Sequence, residues 1–462
     1  MYDTVSYSVS LISTPSGYTP PRIYRISAVN KLVPTSSTSG GAYSIVSVSL
    51  PQGTVIDLSS LKAFMKVQTQ SPGTAGGPSD VVYARLPADI ATLFQNIQVL
   101  VNGVMINGST NEYNSCYRMR KLCAGTVDRD QTVSKTVSHG SIVSDDANEQ
   151  GDFCFNDWLH TIFAGGKEGA STRFLHTGLV GDIQLRLQFS GNNVLCGKQD
   201  GVSMTNNYTS ADARTNAAQM TYSFSDIYFT VDAISMPPEY EVMLQKAVMM
   251  APLEVDYEEA YSWNLNNITA DAFENRFSLS SRSVNKLLGA VRDANYQTTG
   301  IRASALVGNY GDALVSNYQR FRAYPDPAKT IQWNYTLNGQ LHPNYPAELL
   351  EAAADCAYVE DKCGVSGKGT LIGSYESFQD GMCVFPLRLD LPVADNGHPA
   401  SRLASGYDCR STNSSMSFSV KGMSTPTADV NSGETAVRSC IVAAITQPKL
   451  MISPGKSVSV SW

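Results

Sequence analysis

Histidine does acid–base or metal chemistry only in company, beside a nucleophile, a carboxylate or a second ligand. The five histidines of this chain, His139, His160, His176, His342 and His398, stand apart from one another. None belongs to an H-E-x-x-H pair, and no G-x-S-x-G nucleophile elbow occurs. Each reads as a surface or turn position. The nine cysteines, Cys116, Cys123, Cys154, Cys196, Cys356, Cys363, Cys383, Cys409 and Cys440, are scattered, odd in number and without a C-x-x-C pair. That pattern points to buried reduced thiols rather than a disulfide network or a zinc site.

Phosphate binding finds no better support. Gly455-Lys456-Ser457 has the end of a Walker A loop, but Leu450 stands where the first glycine belongs, and too little chain follows for the helix the motif needs. Gly367-Lys368-Gly369 lacks a third glycine at the right spacing. One acidic stretch, Asp146-Ala147-Asn148-Glu149-Gln150-Gly151 with Asp157 beyond it, echoes a calcium loop. Gln150 and Asp157 are poor ligands for the fifth and twelfth positions, and Phe153, Phe155 and Trp158 suggest packing. A solvated acidic turn is the reading preferred here. Sequons start at Asn107, Asn207, Asn267, Asn334 and Asn413, and in a chain so rich in Asn, Ser and Thr they read as chance matches. The expectation is therefore no catalytic residue, no cofactor, no metal, and a protein that is not an enzyme.

The elements tell more than the reactive groups do. Charged residues make up 16% of the 462, well below the ~25% usual for soluble proteins. Ser, Thr, Asn, Gly and Tyr are abundant, as in a β-rich chain with many turns. Few charges also suit a surface covered by neighbours. The net charge is −7, with no run of Lys or Arg, so direct neutralisation of a nucleic acid is not expected. Met1 to Gly17 is polar, without the basic and apolar regions of a signal peptide, and no apolar run approaches the ~20 residues of a membrane span. Folding in a cytosol is the expectation.

Apolar and polar residues alternate over 43–50, 183–189, 227–231, 331–337, 384–389, 416–420 and 457–462, the mark of half-buried strands. Pro386 inside one of them predicts an edge or a bulge. Helices are short: 112–124, 347–358, and 237–250, the last a connector near mid-chain. Met243, Met249 and Met250 on that connector read as packing residues. The segments 125–172 and 191–220 show little regular pattern and read as long loops.

The two halves repeat a pattern. Ile97 to Val101 runs into Asn102-Gly103, and Trp333 to Leu337 runs into Asn338-Gly339. Asn-Gly between alternating runs signals a type I′ hairpin, which needs φ > 0 at both central residues. A candidate helix follows each hairpin, and each half later carries Leu-Arg-Leu, at 185–187 and 387–389. We read a duplicated unit of about eight strands, giving two β-sandwiches.

In that order of motifs, from about Tyr24 to Trp462, the chain resembles the double jelly-roll major capsid proteins of DNA viruses, in particular the polinton-like virus and virophage branch. The segments that carry the resemblance are Leu86 to Tyr113, Phe174 to Phe189, Asn338 to Pro343, Gly406 to Val420 and Val442 to Trp462. The resemblance implies an all-β fold of two tandem eight-stranded jelly-roll barrels, with short helices and long loops. It divides the chain into an arm (1–24), a first jelly roll (25–236), a connector helix (237–252) and a second jelly roll (253–462). It implies homotrimers with a pseudo-hexagonal outline that tile an icosahedral shell. Minor capsid and vertex proteins, and an internal membrane, are the further partners, with no direct sequence-specific nucleic-acid binding. The location would be the virion, after synthesis in the host cytoplasm. Three alternatives stay open: a secreted or surface β-sandwich that binds carbohydrate, an enzyme on a β-sandwich, and a minor capsid component such as a vertex protein.

Overall fold

The computed structural model describes residues 26–71, 82–87, 90–108, 110–124, 140–144, 149–164, 174–199, 219–234, 238–294, 320–358, 375–390, 406–410, 415–427 and 436–461. Asp146 to Asn148, Gly367 to Gly369, His139, His398, Cys363, Asn207, Asn413 and the arm 1–24 lie outside them.

Among the described residues, sixteen of the strands form two units of eight. The first holds β1 (Ile26–Leu32), β2 (Ile45–Ser49), β3 (Lys62–Gln70), β4 (Phe94–Val101), β5 (Val104–Asn107), helix α1 (Tyr113–Ala124), β6 (Glu149–Phe155), β7 (Ile183–Phe189) and β8 (Thr221–Ile234). Helix α2 (Pro238–Met250) leads to β9 (Glu259–Ile268), β10 (Phe273–Ser278), β11 (Val284–Asp293), β12 (Gln332–Leu337) and β13 (Gln340–Glu348). Helix α3 (Leu349–Tyr358) then precedes β14 (Phe385–Arg388), β15 (Ser415–Lys421) and β16 (Arg438–Thr446).

The two units have one topology. In the first, β1-β8-β3-β6 form one antiparallel sheet and β2-β7-β4-β5 the facing one. In the second, the sheets run β9-β16-β11-β14 and β10-β15-β12-β13. Each of these eight strands of the first unit thus has its counterpart eight places later, in the two facing sheets of a jelly roll, and the larger sheet of the first unit carries four further short strands at 40–41, 55–57, 140–144 and 174–176. Both Asn-Gly hairpins fall between matching strands, β4–β5 and β12–β13. Asn102 and Gly103 have φ of 49° and 80°, Asn338 and Gly339 of 50° and 79°, the left-handed pair that a type I′ turn demands.

Alternation accounts for the strands it predicted. Along β7, Ile183, Leu185, Leu187 and Phe189 are buried, while Gln184, Arg186 and Gln188 are only half-buried. Pro386 sits on β14, which pairs with β11 alone and is an edge strand, as the proline requires.

Three expectations change. The Leu-Arg-Leu segments are not equivalent: Leu185 to Leu187 lies in β7, whose counterpart is β15, whereas Leu387 and Arg388 belong to β14, the counterpart of β6. Leu185 and Leu187 are buried on either side of a half-buried Arg186, whereas Leu387 and Arg388 are both half-buried. The region 125–172 is not all loop: β6 pairs along β3, and Gly140–Ser144 pairs with β6. Glu149 to Gly151 are therefore strand residues rather than part of an acidic turn, and the Glu149 carboxylate accepts a hydrogen bond from the Leu86 N–H at 2.5 Å. Within 191–220, Cys196–Gln199 pairs with Val82–Arg85.

Two cores result. One fills the first jelly roll, the other the second. Three short strands, Leu253–Asp256, Lys449–Ser453 and Ser457–Ser461, form an antiparallel sheet of their own, and Leu253, Val255, Leu450 and Ile452 are buried in the first core. The end of the chain thereby returns to the first unit.

Candidate functional site: the seam between the two barrels

Helix α1 follows the first hairpin and is buried nearly all round. Its helical repeat divides it between two partners. Tyr113 and Tyr117, one turn apart, join the first core. Cys116, Met119, Leu122 and Cys123 face the other way and join the second. A helix made in the first barrel is thus a wedge of the second barrel's core, and it lies against α3, the helix after the second hairpin.

Polar groups along the same seam are paired across it. Arg292, fully buried on β11, donates to the Glu112 carboxylate at 2.5 Å and to the Ser115 hydroxyl at 2.8 Å. Asn264 of β9 donates to the other Glu112 oxygen at 2.7 Å. Thr110 and Ser262 share a hydroxyl contact at 2.7 Å. Glu258 lies 3.0 Å from both the Arg120 guanidinium and His160 Nδ1. Asn107 closes the set, donating to the Glu258 carbonyl at 3.0 Å while its side-chain oxygen accepts from the Ile162 N–H at 3.0 Å. Burial works against ionisation of Glu258, but Arg120 and then His160 outweigh it and hold the carboxyl well below the usual range. Unpaired, any of these charges would be costly in such a setting; paired, they fix one relative placement of the barrels.

His160 and Asn107 are therefore seam residues. From the sequence, His160 is expected on the surface or in a turn. It does sit at a positive φ of 60°, but its ring is buried against Glu258. His176 is buried as well, while His342 is half-buried on β13. Asn107 spends its amide on the seam, and Asn334 accepts from the Ser419 hydroxyl. The cysteines Cys116, Cys123, Cys356, Cys383, Cys409 and Cys440 are buried free thiols, and burial pushes Cys116 and Cys440 up to about 12. Gly455-Lys456-Ser457 forms a tight turn between two strands of the small sheet. Among the described residues, no three His, Cys, Asp or Glu side chains gather as a metal site would require. The connector methionines depart from expectation: Met243, Met249 and Met250 face outward instead of into the protein.

No family profile and no curated protein sequence matches this chain. Solved structures do, over nearly their whole length. The capsid of PBCV-1 virus aligns at TM-score 0.57 and 15% identity, covering 97% of this chain and 99% of that one. The Faustovirus major capsid protein aligns at 0.58 and 12%, covering 95% and 92%. The mavirus major capsid protein aligns at 0.51 and 11%, covering 98% and 94%.

The fold is the double jelly roll.

At these identities the likeness is one of fold. The scores for the three viruses lie close together and single out no branch. What the double jelly roll shares with them is the whole path of the chain, both barrels included, and not one sandwich alone.

Proposed function

We propose that this double jelly roll is the major capsid protein of an icosahedral DNA virus, and that its activity is self-assembly. One observation carries the reading: two barrels of identical strand order, joined by a buried charged seam, along a chain that aligns end to end with viral capsid proteins. Three copies of such a chain present six similar barrels. A closed threefold block then offers nearly sixfold edges and can tile a flat lattice. The seam matters here, because six edges match only if the two barrels keep one mutual angle.

In this reading the segments are an arm (1–24), a first barrel (25–236), a connector (237–252) and a second barrel (253–462). The hairpins offer contacts between copies: Met105 and Leu341 occupy matching positions two residues beyond the two Asn-Gly turns, and both are exposed. The net charge of −7 favours a membrane or a second protein between shell and genome. Minor capsid and vertex proteins complete the particle. The protein would be made in the host cytoplasm and reside in the virion.

Light scattering on a sizing column tests the first step. The expected mass is three times 49.9 kDa. A monomer that persists across salt and pH would overturn the obligate trimer and with it this account of assembly.

A further inference from the structure

Helix α2 lies on the surface of the first unit, held by Leu244 and Val248, one turn apart on its inner face. Its outer face carries a largely apolar stripe that no described residue covers. Val242, Met243, Met249 and Met250 are 48%, 52%, 72% and 88% exposed and, by the helical repeat, form one stripe with Lys246 at its middle. A stripe of this kind on a protein surface marks a contact.

Two facts identify the occupant. The first is where the chain enters the fold. Strand β1 begins at Ile26, whose partner in the β1–β8 pairing is Ile234, four positions before α2 begins at Pro238. The second is the composition of what precedes Ile26. Residues 4–21 carry no charge at all. Val5, Tyr7, Val9 and Leu11 alternate with Ser6, Ser8 and Ser10, a pattern that puts four apolar side chains on one side of an extended segment. Asp3, the lone charge before Arg22, is opposite in sign to Lys246. Reach is sufficient: α2 is about 20 Å long at ~1.5 Å per residue, and residues 12–25 can span up to roughly 45 Å.

We propose that residues 1–25 fold back over α2 of the same chain and cover its outward Val242–Met250 stripe. This arm-on-helix contact is independent of whether the protein builds a shell, since it is made within one copy.

Peroxide oxidation of the methionines, read by mass spectrometry, tests it on the purified protein. In the full chain Met243, Met249 and Met250 should be protected, at a level unchanged by dilution. In a chain lacking residues 2–21 they should oxidise about ten-fold faster, equivalent to ~1.4 kcal/mol of protection. Met119, fully buried, reports in both whether the fold is intact. Equal rates in the two chains would overturn the proposal. So would protection that is lost on dilution yet survives the deletion, which would assign the stripe to a second copy. A substitution in the full chain gives an independent reading. Met243→Lys with Met249→Lys, both on the exposed face, should speed chymotryptic cleavage at Tyr7, Leu11 and Tyr18. Unchanged cleavage would also overturn it.

Discussion

At the seam, single charges carry large penalties because their partners have no water to turn to. Arg292→Met would leave the Glu112 carboxylate, with only 11% of its side chain exposed, facing an apolar neighbour. Breaking one side of a buried pair costs ~3–5 kcal/mol. Chemical denaturation of R292M should show a loss of that order, and replacing Glu112 by Leu in the same chain should restore most of it. Glu258 adds a pH dependence. Its folded-state carboxyl titrates below the unfolded one, so its stabilisation is present above ~4.3, the ordinary glutamate value, and fades as pH falls through the folded value. Glu258→Gln should flatten the fall of stability between about pH 5 and pH 3. An unchanged slope in melts across that range would contradict the role given to Arg120 and His160. None of these pairs was legible in the sequence. Glu112 and Arg292 are 180 positions apart, and His160 looked isolated because Glu258 meets it only through the fold.

Elements were legible where they have one wet face and one dry one. β7, β12 and β15 alternate and were readable; so were both hairpins, because Asn-Gly between alternating runs is the strongest short hairpin signal. β16 was not readable from periodicity, and the family resemblance reached only its part from Val442 on, since Arg438–Thr446 is buried on both faces, enclosed between β9 and β11 with α1 packed against those neighbours. Such a strand reads as a continuous apolar run, which period alone cannot assign. β6 was hidden for another reason: Glu149, Gly151 and Asp152 are poor strand formers, and pairing with β3 overrides them. The helix after the first hairpin was predicted, but its double allegiance was not. Met119 is its central contribution to the second core. Met119→Ala should cost ~2–5 kcal/mol and should speed hydrogen exchange in β11 and β16 more than in β3 or β8. Equal changes in both barrels would argue against the wedge.

At the scale of the whole molecule, duplication explains what composition only hinted. Two barrels of one strand order are tied together by one inter-barrel helix and by strands 449–453 and 457–461, which pack against the first core. On the proposed capsid reading, low charge content would ease desolvation of the edges that meet neighbouring copies. The arrangement of three copies is the central claim. Electron cryomicroscopy of the purified oligomer tests it most directly. The account predicts a threefold particle with six barrels on a hexagonal outline, and with the seam of Glu112, Arg292, Arg120 and Glu258 inside each copy. A particle in which the two barrels of one copy take variable angles, or in which copies associate without threefold symmetry, would contradict it.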